Sequence, residues 1–192
     1  SPATLLVWAF ICLGFGLVTS VQTFASQAHG RGAPEEGAAY AWQSIYLGAV
    51  FGLLTAPLSA LIPALYAWIG GLAHHAPAVQ ALETQYTQIT LWAMAPAVIA
   101  GGFEGFFNGV QRPRITLLGV LASLVTITFG NWVLIWGHFG LPALGIAGSA
   151  LATVLAWWVR VGVLLIAFLS GPTNARYHTR RSWRPSARRL RG

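Results

Sequence analysis

Apolar and polar positions in this chain are segregated on a long scale: runs of 20 or more mostly apolar residues alternate with short connections rich in Gly, Pro, Arg and Glu. Five such runs stand out, at residues 4–27, 40–69, 83–107, 115–136 and 144–169. Each is long enough to cross about 30 Å of hydrocarbon at roughly 1.5 Å per residue. A span in lipid must satisfy its own backbone hydrogen bonds, and the period-2 alternation of a barrel strand is missing, so all five are expected to be helices. Pro57, Pro63 and Pro96 fall inside runs, where a kinked helix is tolerated because neighbouring helices serve the freed carbonyls. The pattern therefore predicts an all-α integral membrane protein. A polytopic bundle of five transmembrane helices occupies residues 1–170, and an Arg-rich segment follows at 171–192.

Lipid removes the hydrophobic drive for helix association, so contact faces are sought among small and weakly polar residues. Gly16, Ser20, Thr23, Gln27 and Gly30 recur at helical spacing in the first run, and Tyr86, Thr90, Ala93, Ala97, Ala100 and Glu104 in the third. The fourth offers Gly119, Ser123, Thr126 and Gly130 with Asn131 at the edge, and the fifth offers Gly145, Ser149, Thr153 beside Gly148, Ala152, Ala156. These faces are expected to look toward one another. Gln27, Tyr86 and Asn131 carry more hydrogen-bonding capacity than packing needs, which suits a water-accessible cavity.

Composition agrees: 56% of residues are hydrophobic and 8% charged, with a mean hydropathy of +0.64. All eleven basic residues are arginine and the net charge is +7. No aromatic-basic module accompanies them, so the Arg-rich tail suits an anionic membrane surface and no nucleic-acid partner is expected. Arg31, Arg112, Arg114 and the tail arginines occupy alternate connections, whereas "GGLAHHAPAVQ" and "GHFGLPALG" hold no Lys or Arg. By the positive-inside rule the loops near 31 and 112 and the tail are cytoplasmic in a multi-pass plasma (inner) membrane protein. Ser1 then lies outside, and with no initiator Met the chain reads as a piece of a longer one.

Two charges lie well inside the runs, Glu104 and Arg160. An unpaired charge in the bilayer costs several kcal/mol, so Glu104 is expected to pair with Arg160 or with Arg112 as a structural clamp. Cys12 alone cannot form a disulfide framework. No Gly-x-Ser-x-Gly elbow, His-Glu-x-x-His motif or intramembrane Asp pair is present, which argues against an intramembrane enzyme. His74 and His75 sit in a loop without further ligands, so no metal site is expected.

"GFGLVTSVQTFASQAHGRG" followed by "YAWQSIYL", and "GFFNGVQRPRITLLG" running through "NWVLIWGHFGLPALGIAGSALATVLAWWV", resemble the multidrug and toxic compound extrusion (MATE) transporters. "RYHTRRSWRPSARRLRG" is similar to that family's basic inter-lobe linker. The resemblance implies helices two to six of the first lobe in a twelve-helix, two-lobe transporter that exchanges Na⁺ or H⁺ for small organic cations, drugs or other xenobiotics. Apart from that coupling ion no cofactor is implied. The implied partners are the lipid bilayer, the missing first helix and the C-terminal lobe, so residues 1–192 alone are expected to be inactive. It further implies cavity positions at Tyr86, at Asn131 with Ile127 four residues earlier, at Ser149 or Thr153, and at Thr23, Gln27 and Gln43. In the fourth-to-fifth helix loop the family's usual Gly, Thr and Pro appear as Gln111, Pro113 and Thr116. A lipid-linked oligosaccharide flippase of the same superfamily is the alternative. It would be expected to line its cavity with several cations, and only Arg160 is available.

Overall fold

The computed structural model describes residues 2–73 and 77–182. His74, His75, Arg184, Arg188, Arg189 and Arg191 lie outside the described residues. Every regular element described is helical: α1 Pro2–Gly30, α2 Pro34–Ala73, α3 Pro77–Thr90, a 3₁₀ turn Leu91–Ala93, α4 Met94–Gly109, α5 Pro113–Trp136, α6 Ile146–Leu169 and α7 Gly171–Tyr177. The five apolar runs are thus α1, α2, α3 with α4, α5 and α6. Four of these are long and apolar enough to cross a membrane by the described residues alone, at Pro34–Ala67, Pro77–Gly109, Pro113–Trp136 and Ile146–Leu169. The 29-residue α1 has the length to do so as well.

The prolines act according to place. Pro113 stands in the first turn of α5, where its fixed φ and missing N–H cost nothing. Pro57 and Pro63 lie within α2 without ending it. Pro96 cannot donate to the carbonyl four residues back, and there the third span breaks into α3 and α4 across the 3₁₀ turn.

Helix α4 forms the centre and packs against α1, α2, α5 and α6. Its glycines allow this. A Cβ on Gly109 would lie 2.7 Å from the Gln22 carbonyl oxygen of α1, and one on Gly102 would lie 2.0 Å from Cβ of Ser44 on α2. From α2, a Cβ on Gly48 would lie 2.9 Å from the Ala95 carbonyl oxygen. Such approaches put helix backbones within van der Waals reach, the main source of helix association in lipid. Toward one end of the bundle the space is filled by Phe103, Phe106, Phe107 and Phe168, all fully buried. The rings of Phe103 and Phe106 stand 5.0 and 5.1 Å from Phe168. Helices α5 and α6 form a second close pair, in which a Cβ on Gly130 would lie 3.0 Å from Cβ of Ala152 and one on Gly148 2.6 Å from the Leu134 carbonyl oxygen.

The chain after α6 is fixed to the bundle over the described residues. Thr179 donates to the Phe168 carbonyl (2.9 Å), and Trp42 Nε1 donates to the Thr179 carbonyl (2.7 Å). The Arg180 guanidinium donates to the Leu169 carbonyl at 3.0 and 3.3 Å. Tyr177 is buried against Phe106, with Arg112 and Arg176 lying 5.8 and 5.7 Å from its ring centre. Since His178 also comes within 3.9 Å of Glu35, the α1–α2 loop, the α4–α5 loop and the α7 segment share one end of the bundle. At the other end Trp132 stacks on His138 at 4.2 Å, beside the exposed Trp136 and Phe139. Aromatic side chains of this kind favour a membrane–water interface.

One expected face is corrected. Gly16, Ser20, Thr23, Gln27 and Gly30 are all exposed, whereas Gly14, Val18, Val21, Ala25 and Ala28 are buried. The apolar small residues meet the glycines of α4, since a Cβ on Gly101 would touch Val18 and one on Gly109 would touch Ala25. Both stripes are small enough to pack. The one without hydroxyls and amides makes the closer, drier contact with a glycine surface.

Candidate functional site

The two intramembrane charges meet between α4 and α6. Arg160 Nε donates to Glu104 Oε1 at 2.5 Å, with side-chain exposures of 18% and 15%. Arg112 takes no part and sits over Tyr177 instead. In each other's presence two charges that are individually costly in the bilayer become tolerable. The Arg160 guanidinium also lies 5.0 Å above the Trp157 ring, in cation–π range.

Arg160 and Trp157 form one wall of a 250 Å³ cleft between α5 and α6. Facing them from α5 are Ser123 and Ile127, with Thr153 on the α6 side. No carboxylate lines the cleft. Both hydroxyls already donate to their own helices, Ser123 to the Val120 carbonyl (2.8 Å) and Thr153 to the Ser149 carbonyl (3.0 Å). They keep lone pairs for a ligand but no free proton. The volume is below the range of about 300–1,000 Å³ that encloses a drug-sized ligand, so the cleft can hold one end of such a molecule.

The cavity residues expected from sequence are only partly brought together. Thr153 lines the cleft and Ser149 does not, a choice the pattern left open. Ile127 lines it too. Asn131, one turn further along α5, is partly buried, and its Oδ1 is shielded with no hydrogen-bond partner among the described residues. Tyr86 packs elsewhere, beside the buried cluster of Ile62, Tyr66, Leu91 and Met94 that joins α2 to the third span. There Tyr66 and Thr87 share a hydrogen bond of 3.1 Å. Gln43 is 5% exposed, with neither its amide oxygen nor nitrogen partnered among the described residues. Thr23 and Gln27 stand on the exposed face of α1, with Thr19, Gln22 and Ser26 also exposed along that helix.

Sequence reasoning missed Ser123 and Trp157 as neighbours of Arg160. The usable signal was the i, i+3, i+7 spacing of Thr153, Ala156 and Arg160 on one face of α6. A larger groove of 410 Å³ lies where α2, the 3₁₀ turn and α6 meet, between Leu53, Trp92 and Trp158. Its one hydroxyl, on Thr55, is turned to the Phe51 carbonyl at 2.8 Å, so the groove offers little to orient a polar ligand.

Comparison with known proteins places this arrangement among transporters. A family model described as MatE matches residues 2–133. The protein named "Probable multidrug resistance protein NorM" in Rhizobium meliloti (strain 1021) is 31% identical over 152 residues, covering 79% of this chain and 32% of that protein. Its namesake in Synechocystis sp. (strain ATCC 27184 / PCC 6803 / Kazusa) is 26% identical, with 87% and 35% covered. This chain therefore spans about a third of the length of these relatives. A solved structure, described as the inward-facing conformation of a multidrug resistance MATE family transporter of the MOP superfamily, superposes with a TM-score of 0.77. It is 18% identical, with 95% of this chain and 40% of that chain covered.

Proposed function

Because the chain belongs to the MatE family, a family of transporters and not of enzymes, we propose that it forms part of the N-terminal lobe of a secondary antiporter. In this reading a Na⁺ or H⁺ gradient drives export of organic cations, drugs or other xenobiotics by alternating access. The observation that carries it is the exposed polar face of α1. Gln22, Thr23 and Gln27 project from a long apolar helix, beside Thr19 and Ser26 whose hydroxyls donate to the Phe15 and Thr23 carbonyls, and the two amides above all are costly against hydrocarbon. A water-filled path between two lobes supplies what these side chains need. The name NorM, attached to multidrug resistance in the relatives, agrees with this.

The clustering of Arg31, Arg112, Arg176 and Arg180 segments at one end supports an inner-membrane orientation with that end cytoplasmic. Among the described residues Asn131 orients or coordinates but carries no titrating proton, and Glu104 is held by Arg160. A carboxylate from the rest of the transporter is then the better candidate for the coupling ion.

The reading is tested in proteoliposomes containing the full-length protein. Ethidium should be exported when a Na⁺ or H⁺ gradient is imposed, and residues 1–192 alone should export none. Asn131→Leu in the full-length protein should lower export several-fold at unchanged expression. Absence of gradient-driven export by the full-length protein would refute the antiporter reading, and equal loss of export and expression would return Asn131 to packing.

A further inference from the structure

We infer that the α5–α6 cleft is an oxyanion subsite, built to take the carboxylate end of an aromatic amphiphile on Arg160. The inference rests on the reading above, that substrate reaches this lobe from a polar path.

The charge pair is engaged at one point only. Glu104 accepts from Nε, and the two terminal nitrogens of the guanidinium make no other hydrogen bond among the described residues. An arginine fork uses those two nitrogens for end-on, bidentate recognition of a carboxylate. Here the Arg160 side chain lines the cleft while Glu104 does not, so a ligand entering between α5 and α6 meets the cation and not its counter-ion. Apart from the neutral indole N–H of Trp157, no other side chain on the lining has a proton to give. Ser123 and Thr153 have committed theirs to backbone carbonyls, so an anionic acceptor group has Arg160 as its charged donor.

The rest of the lining fits an aromatic body. Trp157 lies 5.0 Å from the guanidinium carbon, and Val120, Leu124 and Ile127 close the α5 side. A planar ring can rest on this apolar α5 wall with its carboxylate at the fork that Trp157 backs. A bare inorganic anion would leave that apolar wall wet, and a simple cation would face Arg160 with no carboxylate on the lining. Zwitterionic drugs fit both this subsite and an antiporter of organic cations, since their cationic end lies elsewhere along the path.

The experiment compares 1-pyrenebutyrate with its uncharged methyl ester on the full-length protein in nanodiscs. Binding is read by energy transfer from tryptophan to pyrene, with partitioning subtracted on empty nanodiscs. The acid should bind at least tenfold more tightly than the ester, and Glu104→Gln with Arg160→Met, which removes both charges together, should erase the difference. Ile127→Trp fills the cleft from α5 without touching the pair and should also abolish tight binding of the acid. Equal binding of acid and ester to the unaltered protein overturns the inference, as does an acid preference that survives either variant. Ethidium export by the same preparation reports separately on the antiporter reading.

Discussion

Replacing Gly102 by Ala tests the packing on which the bundle depends. The new Cβ would lie 2.0 Å from Cβ of Ser44 and 2.1 Å from its Oγ, where carbon atoms prefer about 3.5–4.0 Å. Helix α2 and α4 would have to part by roughly 1.5 Å to restore that spacing. They are not free to do so, because Gly48 seats α2 just as closely on Ala95 and Ile99 one turn away. Overpacking of this kind costs about 1–3 kcal/mol and sometimes more. A contact as close as 2.0 Å belongs at the top of that range, about 3 kcal/mol, and the better helix propensity of Ala over Gly returns about 1 kcal/mol, leaving the variant roughly 2 kcal/mol less stable.

The same geometry names the suppressor. Ser44→Gly removes the clashing atoms and leaves Cα of residue 44 at 3.5 Å, an ordinary contact. Little else is lost, since the Ser44 hydroxyl donates only to Ala41 of its own helix, and Gly for Ser costs about 0.5 kcal/mol of propensity. The double variant should therefore lie within about 1 kcal/mol of the original, a coupling of roughly 2–3 kcal/mol between the two sites. At about 2–4 °C per kcal/mol for a chain of this size, Gly102→Ala should melt several degrees early. Heating detergent-solubilised protein and following the surviving monomer peak by size exclusion measures it. An unchanged melting point for Gly102→Ala, or no recovery with Ser44→Gly, would show that α2 and α4 do not meet face to face here.

Gln111 holds φ at 59°, a left-handed conformation that costs a residue with a side chain about 1–2 kcal/mol. Gln111→Gly should raise the melting temperature by a few degrees and Gln111→Val should lower it; identical melting of all three would refute strain at this turn. Arg160→Met alone strands Glu104 and should cost about 3–5 kcal/mol, whereas adding Glu104→Gln should recover most of it. If the single variant melts like the original in the same assay, the pair is not a structural clamp.

What was legible in the sequence depended on solvent. A bilayer demands a fixed length of apolar helix, so the five spans and the arginines in alternate connections could be read directly. The family was legible too, in the "NWVLIWGHFGLPALGIAGSALATVLAWWV" stretch and the loop before it. At Gln111, where the family resemblance implies Gly, the structure keeps a glycine-like φ and accepts the strain. The Glu104–Arg160 contact was one of two pairings left open, because charge alone cannot say which arginine is nearer. The break at Leu91–Ala93 was not foreseen as such, since Pro57 and Pro63 show that a proline within a span need not end its helix.

The sequence by itself determined the class of molecule, the number of spans and the places where charge had to be compensated, because each follows from the cost of polar groups in hydrocarbon. Tertiary structure alone decided how each helix is rotated. On α1 two stripes of small residues were equally able to pack, and contact with the glycines of α4 selected Val18, Ala25 and Ala28 and turned Thr23 and Gln27 outward. On α6 the seating of Gly148 against Leu134 fixed the rotation that brings Thr153 and Arg160, and not Ser149, to the cleft. Helix rotation is set by backbone approach over fractions of an ångström, a quantity that belongs to pairs of helices and not to either one.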